Sequence, residues 1–191
     1  MTIYALSSGS GISGIAVIRI SGPETREIIT KMTSGSFPKE KQATLKKINK
    51  IDTKEVIDQG IIIWFPGPQS YTGEDMAEFH VHGSRAVVEA IHTSISKIEN
   101  CRLAEPGEFT KLAFQNGKIN LLKAESISDL ISAETEMQRH QAIKIMSGRS
   151  SKKFNELRER LLKILSNIEA KIDFPEEDLP EDIIKNIKIE S

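Results

Sequence analysis

Cysteine occurs once, as Cys101, in 191 residues. That excludes an internal disulfide and any metal site built on cysteine pairs, and it fits a reducing compartment. Aromatic residues are scarce, at 5%, so aliphatic side chains must fill the core. Neither sign of charge is in excess: 26 Lys and Arg face 27 Asp and Glu, a formal net charge of −1. A dedicated nucleic-acid-binding domain is usually basic, so that class is disfavoured for the chain as a whole and only a local basic patch stays open. No run approaches the ~20 apolar residues of a membrane-spanning helix. The N-terminus, MTIYALSSGSGISG, lacks the basic segment and long apolar run of a secretory signal. No G-x-x-x-x-G-K-S/T segment occurs, so the chain carries no P-loop. A cytoplasmic protein that does not engage a membrane is the expected reading.

What is present suits a globular protein, with 38% hydrophobic and 28% charged residues. The length accommodates one large domain or two small ones, and the composition changes near residue 118. Before that point Ile15–Ile20 (IAVIRI) and Gly60–Phe65 (GIIIWF) read as strands, and Lys41–Ile51 as a weaker one. Pro23 opens a helix in PETREIITKM. Ser84 caps another, SRAVVEAIHTSISKI. A shorter helix follows Pro106 and ends at Gly117.

After residue 118 the pattern is helical. Asn120 is a suitable N-cap for a helix running to about Met146, with Leu121, Ala124, Ile127, Leu130 and Ile131 at helical spacing. Gly148 interrupts. A second helix then carries Phe154, Leu157, Leu161, Ile164, Leu165, Ile168 and Ile172 on one face, until Phe174-Pro175 stops it. Two such helices leave a wide apolar stripe uncovered, so this half is expected to need further helices from missing chain or a second subunit. The expected class is α+β, with a mixed or antiparallel sheet domain over residues 1–118 and an incomplete α-helical domain over 119–191.

The most informative stretch is Ile61 to Ser84, IIIWFPGPQSYTGEDMAEFHVHGS. Side chains alternate across a strand. Ala77, Phe79 and Val81 therefore face a core, while Glu78, His80 and His82 share the other face. These three could ligate a metal, but same-face neighbours on a strand lie ~7 Å apart, which strains a single tetrahedral site. A merely structural polar face is the plainer alternative. Arg19 points away from Ile18 and Ile20, toward either a ligand or solvent. Lys118 follows Asn116-Gly117 at the joint of the two halves, where a solvated surface charge is the ordinary reading. Thr72-Gly73-Glu74-Asp75 reads as a turn. Gly9, Gly11 and Gly14 match G-x-G-x-x-G, but a dinucleotide site needs a helix next. Here the strand-like IAVIRI follows, so a flexible turn is expected.

The segments GISGIAVIRISG, DQGIIIWFPGPQSYTGEDMAEFHVHG, RLAEPGEFTKLAFQNGKINLLKAESISDLI and IEAKIDFPEED closely resemble the MnmE (TrmE) family of tRNA-modification GTPases, in order and across essentially the whole chain. The resemblance implies an N-terminal α+β domain like the folate-binding domains of aminomethyltransferase-type enzymes, which binds 5-formyltetrahydrofolate and forms a homodimer. It implies a helical domain into which a G domain, using GTP, Mg2+ and K+, is inserted. It also implies work with an MnmG-type flavoprotein on the wobble uridine of tRNA. This chain ends about where the G domain would begin, so no GTPase activity is expected of it alone. The family's folate-contacting positions match Arg19, Glu78 and Lys118. A carboxylate such as Glu78 can accept two adjacent N–H groups of a pterin, and Arg19 or Lys118 could pair the folate tail carboxylates. Gly11 and Gly14 could admit the ligand or the other subunit closely, and His82, in a His-Gly pair, is a further candidate. A structural dimerisation scaffold that binds no ligand by itself is the alternative.

Overall fold

The computed structural model describes residues 1–173. It divides into two compact units, Met1–Asn120 and a second that begins at Leu121. The first contains β1 (Thr2–Leu6), β2 (Ser13–Ser21), α1 (Thr25–Met32), β3 (Thr44–Asn49), β4 (Val56–Phe65), β5 (Met76–Gly83), α2 (Arg85–Ile95), β6 (Cys101–Leu103) and α3 (Glu108–Gln115). The strands form one sheet in the order β3-β4-β5-β2-β1-β6. All neighbours are antiparallel except β1 and β6, so the sheet is mixed. The glycine-rich segment joins β1 to β2 as an antiparallel pair with no helix behind it.

One sheet face carries the core. Ile18 and Ile20 of β2, Phe79 of β5, Ile62 of β4 and Ile48 of β3 are fully buried with Ile28, Ile29 and Met32 of α1 and Ile91 and Ile95 of α2. Each such side chain contributes roughly 1.5–3 kcal/mol by leaving water. The aliphatic content thus does the work that scarce aromatics cannot. Ser84 caps α2, its Oγ accepting from the Val87 N–H at 3.2 Å. Pro23 does not enter the first turn of α1. The helix starts at Thr25 with Glu24 as its N-cap, and the Glu24 N–H, which has no acceptor within the helix, donates to Thr2 Oγ1, 2.9 Å away on β1. The three-residue β6 pairs alongside β1 and leaves no periodic pattern in the sequence.

The second unit holds α4 (Leu121–Ile131), α5 (Glu136–Met146) and α6 (Arg149–Asp173). The single helix expected up to Met146 is two. Thr135 starts α5 with a capping box: Gln138 N–H donates to Thr135 Oγ1 at 3.2 Å, and the Gln138 side chain accepts from the Thr135 N–H at 2.9 Å. Gly148 precedes α6 at φ +82. The expected stop at Phe174-Pro175 lies outside the described residues. The stripe on α6 stays exposed: Phe154 is 60% accessible, Leu161 57% and Ile172 70%. Among the described residues no helix is long and apolar enough to cross a membrane.

Candidate functional site

The sheet face opposite the core is set by the same two-residue alternation. On β5, Ala77, Phe79 and Val81 are buried while Glu78, His80 and His82 are not. The β2–β5 register places Arg19 directly across from Glu78 and Val17 across from His80. Two residues singled out separately in the sequence therefore meet. Arg19 donates from Nε and Nη2 to the same Glu78 oxygen, Oε1, at 3.0 and 2.7 Å. The second oxygen, Oε2, lies 3.4 Å from His80 Nε2. Both ends of the pair are partly sheltered, Arg19 at 29% and Glu78 at 16% side-chain accessibility, so solvent and salt screen it less than a fully exposed pair.

The Arg19 guanidinium also sits over two aromatic rings, Tyr71 and Phe109, each 5.6 Å from its centre. A cation over an aromatic face is attracted by the ring quadrupole. Tyr71 comes from the turn between β4 and β5, and Phe109 from the first turn of α3. Their elements are tied together: Tyr71 OH shares a hydrogen bond with Thr110 Oγ1 at 3.0 Å, and Asn116 Nδ2 donates to Thr72 O at 2.7 Å. Glu108 anchors the start of α3. It accepts from the Arg102 guanidinium and from the Glu105 N–H at 2.7 Å. The Arg102 guanidinium holds the Glu108 carboxyl down at about 2, against the opposing effect of burial, with help from the Glu105 N–H.

The TGED segment is more than a turn. Thr72 is fully buried, and its Oγ1 shares a hydrogen bond with Ser21 Oγ at 2.7 Å. Asp75 closes the loop from the other side, its Oδ1 accepting from the Gly67 N–H at 2.8 Å. Gly73, at φ +83, is required here: a Cβ would lie 3.3 Å from both Asn116 and Lys118 side-chain atoms. Lys118 crosses that glycine and donates from Nζ to Pro68 O at 2.8 Å. The 66–75 turn thus reaches Arg19 with one residue and Lys118 with another.

The remaining candidates are not part of this cluster. His82 is 72% exposed and turns to Asp58 on β4, with Nδ1 at 2.9 Å from Asp58 Oδ1 and its backbone N–H donating to Oδ2 at 2.8 Å. Burial pushes the Asp58 carboxyl up, but hydrogen bonds from His82 and the Gln59 N–H outweigh it and hold it below its ordinary value. The possible metal triad of Glu78, His80 and His82 therefore does not converge, and no group of three such ligands forms among the described residues. Gly11 and Gly14 have open space where a Cβ would stand, so no close approach within the chain calls for glycine there. Gly83 is different: a Cβ would fall 2.1 Å from Ser13 Oγ, so the close β2–β5 contact needs it. Tyr71, Phe109 and Asp58 are members of these arrangements that residue-by-residue reading did not single out.

A paired carboxylate and guanidinium on the sheet face opposite the core, with aromatic rings beside them, suits a planar heterocycle bearing adjacent N–H donors. Both Arg19 donors fall on Oε1 of Glu78, so its free acceptor positions lie on Oε2, and the unengaged N–H groups of Arg19 can serve an anion.

Comparison with known proteins agrees in extent and order. The family model described as GTP-binding protein TrmE N-terminus matches residues 2–118, and the model for the MnmE helical domain matches residues 121–190. The tRNA modification GTPase MnmE of Pelagibacter ubique (strain HTCC1062) is 74% identical over 188 residues, covering 98% of this chain and 42% of that protein. A mitochondrial 5-taurinomethyluridine tRNA synthase subunit of Danio rerio is 44% identical over 185 residues, covering 97% and 37%. MnmE of Rickettsia akari (strain Hartford) is 45% identical over 186 residues, covering 97% and 42%. The chain spans about two fifths of the length of these relatives.

Proposed function

The chain belongs to the MnmE (TrmE) family of tRNA-modification GTPases, and from that premise we propose that it is the folate-binding and homodimerising part of such a protein. Its Met1–Asn120 unit takes 5-formyltetrahydrofolate as one-carbon donor for modification of the wobble uridine of tRNA, in company with an MnmG-type flavoprotein. GTP, Mg2+ and K+ belong to the G domain of longer family members, and no step of hydrolysis is assigned to residues of this chain. The α6 stripe is the seat for further helices of a longer chain or a second subunit.

The observation that carries the folate reading is the Arg19–Glu78 pair on the sheet face opposite the core, with Tyr71 and Phe109 beside it. Glu78 accepts the adjacent N–H groups of the pterin. Arg19 holds the Glu78 carboxylate in place, which modifies the role expected from the sequence, where it was free to pair the folate tail. Lys118 keeps donors beyond the one given to Pro68 and is the group for the tail carboxylates. Gly11, Gly14 and His82 have no assigned contact in this reading.

Glu78→Gln preserves shape and removes the charge from this acceptor. It is expected to weaken 5-formyltetrahydrofolate binding by roughly 1–3 kcal/mol, read by calorimetric titration. Unchanged affinity in a folded variant would remove the pterin role from Glu78. One feature favours the scaffold alternative: Glu78 Oε1 already accepts two N–H groups from Arg19. On that reading the wild-type chain itself gives no binding heat.

A further inference from the structure

We propose that the β3 edge of the sheet is an RNA-backbone surface, with Lys39, Lys41, Lys46, Lys47 and Lys54 as its phosphate contacts; the choice of RNA rests on the tRNA-modification reading above. The overall charge hides a local excess. Residues 39–54 hold six lysines against Glu40 and Asp52, whereas the rest of Met1–Asn120 holds eight Lys and Arg against eleven Asp and Glu.

The fold lays these lysines along one edge, with the consecutive Lys46 and Lys47 leaving β3 toward opposite sheet faces. β3 is the terminal strand of the sheet. Its line is prolonged at one end by Glu40 and Lys41, which bridge to Trp64, with the Lys41 N–H donating to Trp64 O at 2.7 Å. At the other end Lys54 occupies the turn into β4. Six strand residues alone span ~20 Å, long enough to follow several phosphates.

Two of the carboxylates near the row are committed elsewhere, which leaves Glu40, between Lys39 and Lys41, as the one acid within it. Asp52 pairs with Lys97 at 2.6 Å and Glu55 with Lys50 at 2.7 Å. The proposed lysines make no ion pair among the described residues, and three of them bind neutral acceptors: Lys41 Nζ to Gln69 Oε1 at 2.8 Å, Lys54 Nζ to Lys31 O at 3.0 Å, and Lys46 Nζ to Ser34 O at 3.3 Å. Those bonds fix the ammonium groups without cancelling their charge. Lysines on an edge strand also discourage strand pairing. That explanation covers Lys46 and Lys47 but not Lys39, Lys41 and Lys54, which lie in the flanking segments. Phe37, the aromatic residue nearest in sequence, is turned to Trp64 at 4.9 Å between ring centres, so base stacking on a single strand is not offered. Backbone recognition of a folded RNA is.

The test is binding of unfractionated tRNA to the whole chain across a salt series. Lys39→Glu with Lys47→Glu is compared with Lys111→Glu plus Lys144→Glu, an equal charge change at exposed lysines elsewhere. The edge pair is expected to weaken binding at least about tenfold and to reduce the slope of log affinity against log salt by about 1.5, the share of two lost phosphate contacts. The control pair stays within about twofold, and the heat with 5-formyltetrahydrofolate is the same in all three proteins. Equal weakening by both pairs would reduce the effect to net charge and overturn the proposal. So would wild-type binding in the edge variant, no tRNA binding by the wild-type chain, or binding to phosphatidylserine vesicles in its place. Failure of the folate reading shows separately, as lost folate heat with tRNA binding intact.

Discussion

At the scale of single residues, His92 is a half-buried titratable group whose inner nitrogen finds no partner. Its ring stands edge-on to Tyr4, 5.5 Å between centres, and Nε2 is buried without a hydrogen-bond partner. Burial alone lowers its pKa. The sign follows directly. The unfolded imidazole takes up a proton near ~6.5, the folded one only at lower pH, so the unfolded chain binds more protons in that window. Stability is therefore full above ~6.5 and declines as pH falls toward the folded value. Urea midpoints measured at pH 7.5 and 5.5 are expected to drop for the wild-type chain. His92→Phe, which keeps an aromatic ring beside Tyr4, is expected to flatten that drop. A variant as pH-sensitive as the wild type would assign the effect elsewhere.

At the scale of elements, two substitutions separate what holds the fold from what it displays. Ser84→Ala removes the N-cap of α2, and its expected cost is ~1 kcal/mol by chemical denaturation. Leu161→Lys falls on the exposed stripe of α6 and is expected to change stability by less than ~0.5 kcal/mol while reducing self-association in light scattering. A large loss of stability from Leu161→Lys would mean that the stripe is covered within the chain.

The elements also mark how far the sequence could be read. Alternation along residues 77–82 separates the core face from the site face, because a strand's period of two leaves no freedom once Phe79 is buried. Ser84 and Gly148 punctuate helices visibly. The start of α5 was there to be read, since Thr135 and Gln138 have the spacing of a capping box, yet continuous apolar spacing on either side masked it. Tyr71 and Phe109 are another matter. They come from a turn and a helix far from Arg19 in sequence, and only the turn's tertiary hydrogen bonds bring all three together. The same holds for Asp58, whose grip on His82 depends on the β4–β5 pairing.

At the scale of the molecule, the family match extends through both units, and the chain spans about two fifths of the length of its relatives. The claim specific to this chain is that its own N-terminal unit makes a folate site around Glu78. Calorimetric titration with 5-formyltetrahydrofolate tests that claim most directly. Saturable micromolar binding, weakened in Glu78→Gln, is the predicted result. A folded wild-type chain that gives no binding heat would contradict it and leave the unit as a scaffold.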